Sequence, residues 1–259
     1  VTEQSLASVA GRAADGRRHP GEGGPATAGR LENVAMPALP HHPAHDDLRR
    51  RWAATVAAAA GRAPDPSSPG PDRYADDLLG RWAEPQRRYH TTDHLVAVLD
   101  RVDTLAEYAH DIDLVRLAAW FHDAVYLPER STNEERSARL AERALPELGI
   151  DRAGTEEVSR LVLLTRTHAA GDDDANGKVL CDADLAILAS PPDVYETYAA
   201  AVREEYGFVP DDAFRAGRAD VLRHLLGLPG LFRTPHGQRE WEAPARRNVA
   251  AELERLRAS

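Results

Sequence analysis

The chain is short of several things, and each shortage narrows what it can be. A single cysteine, Cys181, excludes an intrachain disulfide and fits a reducing, cytoplasmic setting. Nothing around it suggests a catalytic thiol. No apolar run is long enough for a signal peptide or a membrane span, so no membrane partner is expected. Lysine occurs once, at Lys178, and positive charge is in deficit: 32 Lys and Arg face 42 Asp and Glu, for a formal charge of −10. That balance speaks against coating nucleic acid while leaving room for a local basic pocket. There is no Gly-rich phosphate loop and no G-x-S-x-G element, so neither a P-loop NTPase nor a nucleophile-elbow hydrolase is supported. Alternating, strand-like stretches and internal repeats are also missing.

What is present divides in two. Residues 1–45 are rich in Ala, Gly, Arg, Pro and Glu, with no apolar periodicity. Such a stretch cannot bury enough apolar surface to offset its ordering entropy. It is expected to be either a disordered tail or the product of a start site drawn too early, with Met36, the only methionine, just before the ordered pattern. Residues 46–259 are long enough for one domain with a real core.

From Asp46 onward the apolar residues fall at three- and four-residue intervals, predicting an all-α, compact single-domain helical bundle. Leu48, Trp52 and Val56 open a first helix that ends at Gly61 and the Pro64–Pro71 loop; Tyr74, Leu78, Leu79 and Trp82 make a second. A third, capped by Thr91 or Thr92, carries Leu95, Val98, Val102 and Leu105. A fourth runs from about Ile112 to Phe121, with Pro128 beyond it. Ser131-Thr132-Asn133-Glu134 has the form of a capping box opening a fifth helix towards Leu145, and a sixth spans roughly Thr155 to His168. The acidic stretch Gly171–Gly177 reads as a loop. Later helices are expected at about 192–206, 211–227 and 237–257, with Trp241 and Leu253 of the last facing inward.

The chemistry gathers at a few polar residues on these helices. His94 alone reads as a solvated or hydrogen-bonded histidine. His122-Asp123 is more telling, because the apolar run Leu117–Phe121 delivers both side chains into a buried place. Burying an imidazole and a carboxylate without partners costs several kcal/mol, so a metal, an arginine or helix carbonyls must satisfy them. Asp182 and Asp184 stand at the expected start of a helix through Leu185–Leu188, where Asp182 suits an N-cap and Asp184 is free to point elsewhere. Together His94, His122, Asp123 and Asp184 form a mixed nitrogen and oxygen set suited to one divalent ion, with Mn, Fe, Co, Ni or Zn ahead of Mg.

These residues and their flanks resemble the HD superfamily of metal-dependent phosphohydrolases, and within it a bacterial subgroup of predicted HD-type phosphohydrolases. The runs that carry the likeness are Arg88-Tyr89-His90-Thr91-Thr92-Asp93-His94, Ala119–Tyr126, Asn133–Ala138 and Asp182-Ala183-Asp184-Leu185. Glu204-Glu205-Tyr206 and Ala245-Arg246-Arg247-Asn248 fit it as well. The likeness covers about 46–259 and implies an HD-type helical domain that holds metal through His94, His122, Asp123 and Asp184. Either His90 or His94 suits the first ligand position. The H-x-x-x-V spacing favours His94 and leaves His90 as an auxiliary.

Around this core, Asp123, Glu134 and Glu135 are candidates for handling the proton of an attacking water, with Glu134 equally at home in the capping box. His168 and Asp182 are auxiliary candidates for metal or phosphate. Arg88, Arg136, Arg203 and Arg246 are candidates for binding phosphoryl oxygens. The expected substrate is a small phosphoester, a nucleotide among the options. Two other functions fit the same residues: an HD-fold di-iron oxygenase that recruits His90 and His168, and a non-catalytic helical protein that binds a nucleotide or partner.

Overall fold

The computed structural model describes residues 42–61 and 70–258, so the expectations for residues 1–41 and for most of the Pro64–Pro71 loop lie outside the described residues. Within them the chain is all-α, with no strand. Its helices are α1 (His45–Ala59), α2 (Pro71–Trp82), α3 (Thr92–Thr104), α4 (Ile112–Phe121) and α5 (Asn133–Glu147). They continue as α6 (Arg152–Leu164), α7 (Ala175–Leu185), α8 (Pro192–Glu205), α9 (Asp211–Gly227) and α10 (Glu242–Ala258). A 3₁₀ turn, Ala186–Ala189, extends α7, and a π turn, Gly237–Trp241, leads into α10.

The apolar spacing explains most of these elements. Leu48, Trp52 and Val56 all point inward from α1, and every residue from Leu117 to Phe121 of α4 is buried. Pro71 and Pro192 open α2 and α8, where a missing N–H costs nothing.

Three expectations about local caps need correction, each for a physical reason. Asn133, not a Ser131–Glu134 box, organises the start of α5. Thr132 occupies the N-cap position without a side-chain bond. The Asn133 amide instead accepts from Leu127 N at 3.1 Å and donates to the Leu127 and Arg130 carbonyls, tying down the loop after His122-Asp123. Helix α6 starts earlier than Thr155, because the Asp151 carboxylate accepts from Gly154 N at 2.8 Å, and it ends at Leu164 rather than His168. The stretch Gly171–Gly177 is not wholly loop. Asp174 caps α7 by accepting from Gly177 N at 2.8 Å, so the helix is already under way before Asp182. A Cβ at position 177 would collide with the Asp174 carboxylate and with Leu164, so glycine is needed there for close approach.

Two apolar clusters fill the interior. One, built on α1 to α7, centres on Trp52, Trp82 and Trp120, with Trp52 and Trp120 edge to face at 5.2 Å. The other joins the end of α7 to α8, α9 and α10 around Tyr195, Leu222, Phe232 and Val249. Trp241 packs against both. A cleft lies against the second cluster, and His90, His122, Asp123, Glu134, His168 and Asp184 line it.

Replacing Asp174 by Ala should lower the urea midpoint by the equivalent of about 1 kcal/mol from the lost cap. Asn, which keeps an accepting oxygen, should restore most of that loss.

Candidate metal centre

Three helices converge on one point. His94 comes from the first turn of α3, His122 from the C-cap of α4 with Asp123 next to it, and Asp184 from the last turn of α7. His94 Nε2 lies 3.3 Å from His122 Nε2 and 3.2 Å from Asp184 Oδ1. His122 Nε2 lies 3.2 Å from Asp123 Oδ2 and 3.7 Å from Asp184 Oδ1. One donor atom from each of His94, His122 and Asp184 falls within 4.8 Å of the other two. Metal–donor bonds of about 2.0–2.2 Å place neighbouring ligand atoms roughly 3.0–3.5 Å apart, so these separations suit a common ion. The group can therefore hold a divalent metal. Asp123 Oδ2, 3.9 Å from His94 Nε2, stands beside it as a further oxygen donor.

The orientation of each donor has a cause. His122 Nδ1 faces the Ala119 carbonyl at 2.8 Å and donates to it, which turns Nε2 and its lone pair towards the centre. Asp184 is held from both sides: Oδ2 accepts from His168 Nε2 at 2.8 Å while Oδ1 faces His94. His168 adopts φ 52°, the one non-glycine residue with positive φ among the described residues. Such a conformation costs on the order of 1–3 kcal/mol and clusters at functional sites. His168 thus positions Asp184.

The backbone carrying the first histidines is clamped as well. The buried Arg87 guanidinium donates to the carbonyls of His90 at 3.0 Å and Asp123 at 2.9 Å, locking the α3 entry to the end of α4. Glu205 Oε1 accepts from three successive backbone N–H groups, those of Arg88, Tyr89 and His90, at 2.8–2.9 Å. Its Oε2 takes His90 Nδ1 at 2.7 Å, leaving His90 Nε2 4.0 Å from Asp123 Oδ2. On the α7 side, the Asn248 amide donates to the Leu188 and Ser190 carbonyls and fixes the turn after Asp184.

Electrostatics favours a cation here. Burial works against the charged form of His122, yet the neighbouring Asp123 and Asp184 carboxylates outweigh it and raise the imidazole to about 9. Burial also opposes ionisation of Asp184, but hydrogen bonds from His168 and His94 hold it well below the usual carboxylate range. Asp123 is likewise lowered, against burial, by His122. His94 goes the other way, because desolvation depresses it. A metal ion must displace the His122 proton, so binding and pH are linked.

The remaining candidates fall in several places. Glu134 is buried and lines the cleft. Glu135 turns to Arg166, pairing with it at 2.8 Å. Asp182 is neither cap nor ligand. It sits near the end of α7, fully buried, and accepts from Arg233 N, Thr234 N and Thr234 Oγ1 at 2.7–3.0 Å, anchoring the segment before α10. The structure also moves the four chosen arginines off the cleft. Arg88 donates to the Pro85 and Arg87 carbonyls, Arg136 faces a separate groove with Arg139 and Arg143, Arg203 binds Asp211, and Arg246 binds Glu242. Each is bound or turned by its own helix neighbourhood, which residue type alone does not reveal. The arginines that do line the cleft are Arg166 and Arg218. Sequence reasoning missed these two, together with the bracing roles of Arg87, Glu205 and Asn248. Glu205 and Asn248 lay inside runs that carry the HD likeness, so a signal for them was present without a role.

No family model, curated protein or solved structure matches the chain. The likeness to the HD superfamily therefore rests on the residues themselves. No described helix is long and apolar enough to cross a membrane.

Mn²⁺ at a hundredfold excess over its dissociation constant should stabilise chelator-stripped protein by about 2.7 kcal/mol, raising Tm by roughly 5–10 °C. Because His122 must be neutral to ligate, the stabilisation at one fixed Mn²⁺ concentration should grow from pH 6 towards pH 9. His122→Ala and Asp184→Ala should remove it; a shift of equal size in both variants counts against the site.

Proposed function

We propose that this protein is a metal-dependent phosphohydrolase acting on a small phosphoester. The observation that carries this reading is the convergence of His94, His122 and Asp184, with Asp123 alongside, at one end of a cleft. When bound, the ion lowers the pKa of a water towards neutrality and polarises a phosphoryl oxygen. The donor set suits Mn, Fe, Co, Ni or Zn better than Mg.

The chain's own residues do the rest. His94, His122 and Asp184 hold the ion, and Asp123 completes the set. Glu134, buried in the cleft wall, receives the proton of the attacking water on its carboxylate. Arg166, at the rim with its side chain 43 % exposed, offers its guanidinium to the phosphoryl oxygens. Glu135 holds that guanidinium in position. Tyr89, in the cleft wall, packs against the rings of both His90 and His94 at 4.8 Å and limits water beside them.

A panel of phosphoesters assayed with Mn, Co, Ni and Mg should show turnover that disappears in Asp123→Ala. Glu134→Gln should lower kcat by roughly 10²–10⁴-fold at unchanged metal content. Absence of turnover with every metal and ester, in protein shown to carry the ion, would falsify the assignment.

A further inference from the structure

The cleft has two unlike ends. One holds the metal centre. The other is walled by residues of the second apolar cluster, Leu185, Leu188, Val202, Leu225 and Tyr206, with Tyr198 packed against it. An aromatic line connects them: Tyr89 lies 4.8 Å from the His94 ring and 4.6 Å, edge to face, from the Tyr198 ring. A substituent on a phosphorus atom at the metal centre would extend along this line into the apolar end.

One buried cation faces that end, and its charge is already matched. Arg218 Nε donates to Glu252 Oε1 at 2.8 Å, and a terminal NH₂ donates to Oε2 at 3.0 Å. Both of its terminal nitrogens also reach the Tyr198 hydroxyl at 3.3 Å, and Tyr195 donates to the same Glu252 carboxylate. Glu252 already matches the charge of Arg218, so this end does not call for a second phosphate, and its remaining walls are mostly apolar, which leaves a base edge or ribose few partners. Each polar group of a ligand left unpaired there weakens binding. A hydrocarbon group in the same place suffers no such penalty and gains from leaving water.

We propose that the apolar end of the cleft receives an uncharged short alkyl substituent of the phosphoester, so that the preferred substrate is a small amphipathic phosphoester and not a nucleotide. The placement of the phosphoryl end rests on the phosphohydrolase reading above.

Binding of methyl-, ethyl-, propyl- and butylphosphonate to the Mn²⁺-loaded protein, measured calorimetrically, tests this without turnover. Affinity is expected to climb about fourfold per methylene, and a nucleoside monophosphate should bind more weakly than butylphosphonate. Val202→Trp, which fills the chamber, should flatten the series. A flat wild-type series, a nucleotide that outbinds butylphosphonate, or a folded Val202→Trp protein with an unchanged slope each overturns the proposal. If methylphosphonate binds and the series is flat, the hydrocarbon pocket falls while the phosphoryl site stands. If no phosphonate binds and no ester is cleaved, both fall. Should Val202→Trp not fold, the wild-type series decides alone.

Discussion

The organisation of this molecule turns on one nearly buried carboxylate. Asp184 has both oxygens engaged by imidazoles from other parts of the fold, His168 on one and His94 on the other. A carboxylate out of water is tolerated only when its lone pairs are met and its charge balanced. Here the balance comes from imidazoles, a group that can also ligate metals, and meeting Asp184 brings α3 to α7 with His122 of α4 at 3.7 Å. The strained His168 backbone shows that this closure costs free energy elsewhere.

Around that point the fold is built to hold backbone as much as side chains. Arg87 reaches across two helix ends, and Glu205 gathers three successive N–H groups at the approach to α3. Charge-assisted bonds of this kind are stronger than neutral ones and fix position to a fraction of an ångström. The second apolar cluster adds the remaining ingredient. Residues of the polar centre and apolar residues of that cluster line a single cleft.

The parts of this arrangement were unequally legible. The stripe Leu48-Trp52-Val56 and the run Leu117–Phe121 announced buried helices, because helical periodicity and apolar continuity are local properties. His122-Asp123 announced a site for the same reason: polar groups at the end of a wholly apolar helix must be satisfied. The capping box at Ser131–Glu134 was misleading, since Asn133 could serve the preceding loop better than Thr132 could cap the helix. Asp182 looked like a cap because the true cap, Asp174, lay in a stretch too polar to suggest a helix. The arginines were least legible, for a long flexible side chain can serve any of several neighbours.

Read alone, the sequence determined the all-helical class, the inward faces and the four residues whose types and flanks resemble a metal set, since each follows from local pattern and chemistry. Tertiary structure alone decided which second residues serve them: that His168 grips Asp184, that Glu205 and Arg87 brace the first histidines, and that Arg166 and Arg218 rather than the expected arginines border the cleft. His168 lies 16 residues from Asp184, Arg87 36 from Asp123 and Glu205 115 from His90. Contacts at such separations arise only when helices pack, and no periodicity in the chain encodes them.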